Sequence, residues 1–142
     1  FQPGWQDSDR EWMLTEMKNF LTKHEAWVID GNYSWCCYEE RMQEADQIIF
    51  LNFSPWTCLF RAFKRYLTYR GKVRESMAAG CPERFDLEFI RWILWDGRTK
   101  NAKERYQRVQ ENYPEKVIVL RSQKEMDHFL EKTANNKKNQ RA

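Results

Sequence analysis

Gln47-Ile48-Ile49-Phe50-Leu51-Asn52-Phe53-Ser54-Pro55 is the stretch on which the fold turns. Its first half is a short, continuous apolar run, the pattern of a strand buried on both faces of a parallel sheet. Ser54 and Pro55 then make a good N-cap and first-turn pair. They open a helix that runs to about Tyr69 and is closed by Gly71. Working outward, Lys116-Val117-Ile118-Val119-Leu120 reads as another strand, followed by the capping box Ser122-Gln123-Lys124-Glu125. That box starts a last helix to about Lys132, and residues 134–142 are expected to be a disordered polar tail. On the other side, Ala26-Trp27-Val28-Ile29-Asp30 is a third strand candidate, ending in an acid and Gly31. Ahead of it, Ser8-Asp9-Arg10-Glu11 fits a capping box, and Met13, Met17, Phe20 and Leu21 give residues 9–24 a helical period. Gly71 to Asp86 is the least regular stretch and is expected to be a mobile excursion. Helical pattern resumes from Leu87 to about Tyr113, with Gly97 as a break. Strands alternating with helices imply an α/β domain with a mainly parallel sheet.

Composition narrows the class of protein. The 142 residues are 42% hydrophobic and 15% aromatic, too apolar for a disordered chain. Charged residues make up 32%, the mean hydropathy is −0.89, and no apolar run approaches the roughly 20 residues that span a bilayer. A soluble, cytoplasmic domain with no membrane partner is expected. Cys36, Cys37, Cys58 and Cys81 form no C-x-x-C pair and have only His24 and His128 for company, a poor zinc set. Buried, reduced thiols are the expectation. Charge is unevenly spread: residues 1–60 carry four Lys/Arg against ten Asp/Glu, and residues 61–142 carry twenty against eleven. A basic half suggests a polyanionic ligand such as the phosphates of a nucleotide or a nucleic acid.

In parallel sheets ligands bind beyond the carboxyl ends of the strands, which directs attention to the loops after Asp30, Leu51 and Leu120. Asp30, at the end of an apolar run, either orients Mg²⁺ through water beside phosphates or caps the following turn. Gly31 permits a sharp turn, and Asn32 and Tyr33 offer polar and stacking contacts. Residues 61–74 hold six bases and no acid, interleaved with Phe60, Phe63, Tyr66 and Tyr69. Arg61 and Arg65 share a helical face and can address one anion. The segment suits a clamp on a transferred phosphoryl group, a nucleic-acid track with base stacking, or aromatics in the core with bases in water. Arg98, Arg105 and Arg108 follow, with Arg98 and Arg105 two helical turns apart. Beside the first arginine pair they suggest a lid that closes on phosphates.

With these residues in place, the chain resembles the bacterial DNA topology modulation proteins of the FlaR type, adenylate-kinase-like P-loop proteins. The resemblance rests on Pro3-Gly4-Trp5, on Trp27-Val28-Ile29-Asp30-Gly31-Asn32-Tyr33 and on Ala45-Asp46-Gln47-Ile48-Ile49-Phe50-Leu51. It continues through Arg61-Ala62-Phe63-Lys64-Arg65-Tyr66, Gly80-Cys81-Pro82-Glu83-Arg84-Phe85 and Val117-Ile118-Val119-Leu120. It implies a P-loop kinase-like three-layer sandwich over residues 1–133, with a mainly parallel sheet and a helical lid over about 61–105. Asp30 would match the Walker B acid that holds Mg²⁺ through water, Arg61 and Arg65 the arginines entering the lid, and Arg98 and Arg105 those leaving it. Asn32, Tyr33 and Arg41 fall where such kinases hold the phosphoryl acceptor. Mg²⁺ and ATP are the implied cofactor and donor, and a nucleotide and a small acceptor the implied partners.

One feature of the family is missing: no G-x-x-x-x-G-K-[ST] occurs in the chain, so the first strand–P-loop–helix unit is lacking. The resemblance therefore implies a fragment of an ATP-dependent phosphotransferase, weak or inactive by itself, with a competent parent. The alternatives are a non-catalytic nucleic-acid-binding module using the basic 61–74 segment, or a gene fragment with no activity of its own. The acidic first half favours the enzyme over the nucleic-acid binder.

Overall fold

The computed structural model describes residues 8–75 and 77–139, with side chains to 135. Pro3-Gly4-Trp5 and residues 140–142 lie outside the described residues. The chain divides into two compact units, one made of residues 1–45 and 66–84, the other of residues 46–65 and 85–142.

The second unit is built on a parallel strand pair, β1 (Ile48–Leu51) and β2 (Val117–Leu120). Ile48 pairs with Val117 and Leu51 with Leu120, in register throughout. Between them in sequence come helices α3 (Pro55–Tyr69), α4 (Leu87–Leu94) and α5 (Lys100–Asn112), with α6 (Gln123–Asn139) after β2. Every one of these helix starts is capped by a short polar side chain. Ser54 Oγ accepts the Thr57 amide at 3.1 Å, Asp86 Oδ1 that of Phe89 at 2.9 Å, and Thr99 Oγ1 that of Ala102 at 3.3 Å. Ser122 Oγ accepts the Glu125 amide at 3.2 Å while Glu125 reaches back to the Arg121 amide at 2.7 Å, so the capping box expected at Ser122 is formed. The break expected at Gly97 is also present, as a single 3-10 turn over Asp96–Arg98. There a Cβ on Gly97 would stand only 3.1 Å from the Trp92 carbonyl oxygen, which favours glycine at that position. Ile48, Phe53, Ala62, Ile93, Ala102, Val109 and Leu120 form the buried core of this unit. The Phe50 ring meets that of Tyr106 edge-on at 5.2 Å and ties β1 to α5.

The first unit has no strand among its described residues. It holds α1 (Arg10–Lys23), α2 (Tyr38–Glu44) and the last turn of α3. The start of α1 differs by one residue from the expectation: Asp9, not Ser8, is the cap, its carboxylate accepting the Trp12 amide at 2.8 Å. Met13, Met17, Phe20 and Leu21 are half-buried along one face of α1. Cys36, Cys37, Ala45 and Cys81 are buried.

Two expectations require correction. The run Ala26–Asp30 forms no strand, and Val28 is 95% exposed. A strand is a paired element whose amides and carbonyls need a neighbouring backbone. This run belongs to the unit that contains neither β1 nor β2, so apolar composition alone leaves it irregular. The expected sheet of three strands is thus a sheet of two, and the architecture is mixed α/β with six α-helices among the described residues. Second, α6 does not end near Lys132 but runs to Asn139, into the segment expected to be a disordered tail. Once a helix is nucleated at a good cap, each further residue adds a hydrogen bond at little extra cost.

No helix among the described residues is long and apolar enough to cross a membrane. The capping box at α6 gives a direct test. Ser122→Ala removes the acceptor for the Glu125 amide and is expected to lower stability by about 1 kcal/mol. Urea unfolding followed by circular dichroism reads this, and Ser122→Asp should restore most of the loss.

Candidate functional site

The parallel register of β1 and β2 sends both strands out at one edge, where the Asn52 amide still donates to the Leu120 carbonyl at 2.8 Å. Three residues after β1 the chain enters α3, and two residues after β2 it enters α6. Both helices present their amino ends there, and the free amides of a helix start carry a partial positive charge suited to anions. Phe53 lies at this edge and is buried.

Two of the expected site residues converge on Phe53. The Arg61 guanidinium lies over its ring at 4.0 Å, and it also donates to Gln123 Oε1 at the start of α6. Arg98, from the 3-10 turn, donates to the Phe53 carbonyl at 3.2 Å, to the Ile93 carbonyl at 3.1 Å and toward Cys58 Sγ at 3.4 Å. Arg98 therefore holds the loop after β1 against the turn after α4. Arg61 holds the same loop against α6. Arg65 is half-buried one helical turn beyond Arg61 on α3. Arg105 is half-buried on α5, its guanidinium 5.6 Å from the Tyr106 ring.

The other expected residues belong to the first unit. Asp30 and Asn32 are exposed in the loop between α1 and α2. Gly31 has φ +133°, and a Cβ there would come within 2.7 Å of the Tyr33 ring, so the turn after Asp30 requires glycine. Tyr33 packs edge-on against Trp35 with centroids 6.1 Å apart. Arg41 is only 3% exposed, and its guanidinium donates to the Tyr33 carbonyl at 2.7 Å and, through Nε, to the Cys37 carbonyl at 3.3 Å. The side chain expected to hold an acceptor thus ties down the 33–37 loop. Cys37 caps α2 with φ +46°, and burial, reinforced by the nearby Glu40 carboxylate, pushes its thiol above the ordinary thiol value.

The eight expected residues therefore fall into two groups, Asp30, Asn32, Tyr33 and Arg41 in one unit and Arg61, Arg65, Arg98 and Arg105 in the other. Sequence reasoning missed Phe53, Cys58 and Gln123. The available signal was position: Phe53 follows a strand and Gln123 occupies the first turn after a capping box, so each had to lie at the sheet's carboxyl edge. Among the described residues no group of three or more His, Cys, Asp or Glu is placed to hold a metal ion.

No protein-family model matches the chain, and neither does any curated protein or solved structure.

Two predictions concern the first unit. Arg41→Met strips the Tyr33 and Cys37 carbonyls of their charged donor and is expected to cost about 3 kcal/mol or more in urea unfolding. The raised thiol of Cys37 carries a pH dependence with a definite sign. Its folded value lies above its unfolded value, so its contribution is fully present below the unfolded value and lost as pH rises through the folded one. Unfolding of the native chain and of Cys37→Ala, compared from neutral pH to about pH 10, should show the steeper alkaline loss in the native chain.

Proposed function

We propose that this chain carries the lid arginines, without the phosphate loop, of a nucleotide-kinase-like phosphotransferase of the adenylate-kinase-like P-loop class to which the topology modulation proteins belong. In this reading the γ-phosphoryl group of Mg-ATP passes to the oxygen of a small acceptor and ADP leaves. The observation that carries it is the convergence of Arg61 and Arg98 on Phe53 at the carboxyl edge of a parallel strand pair, beside the capped amino ends of α3 and α6. Guanidinium groups and helix amino ends are the donors that stabilise charge on a phosphoryl group in flight. The larger fold belongs to the same proposal: a three-layer kinase-like sandwich with a lid over about 61–105.

The residues fit the implied ligands unequally. Mg²⁺ bound through water needs one carboxylate from the protein, its other positions going to phosphate and water. Asp30 is exposed and stands just before the turn that Gly31 makes possible, which is compatible with that contact. ATP would bring the Mg²⁺ and the transferable group. The β- and γ-phosphates lack a cradle, because the chain has no G-x-x-x-x-G-K-[ST]. Arg61 and Arg65 would hold phosphate oxygens, and Arg98 would hold the loop that leads into their helix. Weak binding and little or no turnover are the expectation for the chain as it stands.

The nucleic-acid reading has less to rest on. Of the six bases in 61–74, Arg74 is ion-paired with Glu83, whose side chain is buried.

Titration calorimetry with Mg-ATP and with inorganic tripolyphosphate tests the proposal. Both should bind weakly and more weakly as salt rises, and Arg61→Ala should reduce affinity about tenfold, the scale of a charged hydrogen bond lost. Arg61→Ala should leave the circular dichroism unchanged. Unaltered affinity in that variant, or no heat with either ligand at millimolar concentration, overturns the reading.

A further inference from the structure

Helix α3 departs from the rule that an amphipathic helix turns its apolar side inward. Its covered side carries Ala62, which is buried, with Cys58, Arg61 and Arg65 half-buried. The opposite side carries Trp56 and Phe60, exposed by 71% and 67%, and Phe63, which is 42% exposed and packs on the Phe85 ring with centroids 5.2 Å apart. At 100° per residue these three, and Leu67 farther along the same helix, fall within an arc of about 60°. Lys64 is exposed beside that arc, about a ninth of a turn beyond Phe60. From Arg61 to Arg74 the sequence contains no acid at all. A stripe of Trp, Phe and Leu flanked by Lys64 and followed in sequence by exposed Arg70 and Lys72 has the pattern of a helix that lies in the plane of a membrane interface.

We propose that α3 docks the protein on an anionic lipid surface, with Trp56 and Phe60 at the acyl boundary and Lys64 at the headgroups. Charge selects this occupant. A second copy laid antiparallel on the stripe would bring the basic flank of one α3 against that of the other, like charge against like. An anionic bilayer complements it. Shape agrees: the stripe is the convex face of a single helix, whereas single-stranded nucleic acid is tracked in a basic groove between stacking platforms. The expectation of no membrane partner rested on the length needed to span a bilayer, and an interfacial helix needs no such length. This docking is independent of the phosphotransferase proposal, because it uses residues on the other side of α3 from Arg61 and Arg65.

Co-sedimentation of the full chain with vesicles of phosphatidylcholine alone, and of phosphatidylcholine with phosphatidylglycerol, tests it. Binding is expected to the anionic vesicles and to weaken as salt rises. Phe60→Ser should lower partitioning about tenfold, the scale of one aromatic side chain left in water. Trp56→Ser should act in the same direction, and both sites are exposed, so circular dichroism and thermal unfolding should be unchanged. Lys64→Glu should reduce the preference for anionic over neutral vesicles. Failure to pellet with anionic vesicles overturns the proposal, as does equal pelleting with neutral ones. So does a dimer in analytical ultracentrifugation that Phe60→Ser dissociates, or an oligonucleotide complex that the same substitution abolishes, when either occurs without vesicle binding.

Discussion

The pairing of Ile48–Leu51 with Val117–Leu120 is the constraint from which the second unit follows. Parallel strands cannot be joined by a tight turn, because the chain must return to the starting edge before the second strand begins. The helices α3, α4 and α5 lie within that return, and each is started by a side chain that satisfies amides a helix cannot satisfy for itself. The same register sets the two exits of the sheet side by side. That is why α3 and α6 present their amino ends at one edge, and why Arg61 on one can reach Gln123 on the other.

At that edge the arginines have a structural role whatever ligand they serve. Arg98 satisfies the carbonyls of Ile93 and Phe53, and Arg61 lies on the Phe53 ring. A guanidinium group presents several donors in a fixed plane, so it can hold a loop with some of them and still offer others to an anion. Preorganisation of this kind lowers the cost of ordering the group when a ligand arrives. Arg41 in the first unit shows the limit of the same chemistry. It is buried and its observed bonds go to backbone carbonyls, so it shapes the 33–37 loop from within.

Helix α3 connects these themes, since it carries two different surfaces. Arg61 and Arg65 share its half-buried side, and Trp56 and Phe60 stand exposed on the other. A helix with an apolar outer face leaves apolar area in water that only a partner or a lipid boundary removes. Its basic residues bias that choice toward an anionic one. The two surfaces are about half a turn apart, so occupation of one does not exclude occupation of the other.

Much of the local structure was legible in the sequence because it depends on near neighbours. Ser54-Pro55, Ser122 with Glu125, the end of α3 at Tyr69 and the break at Gly97 all follow from capping and from glycine, and all were found where the residues indicated. The pairs Ile48–Leu51 and Val117–Leu120 were legible as strands through their unbroken apolar character. Local pattern could not decide whether such a run finds a partner. Ala26–Asp30 has the same character as β1 but belongs to a unit with no strand among its described residues, and a ladder needs two backbones. Nor could it show that Phe53 would be the meeting point of Arg61 and Arg98, residues separated by long stretches of chain. Spacing placed the aromatics of α3 on one face, but whether that face is covered depends on what packs against it. The sequence by itself thus determined where most of the helices begin and which runs are strand-competent. Only the tertiary structure decided which runs pair, which arginines converge and which apolar face is left in water, because each of those is a relation between residues distant in the chain.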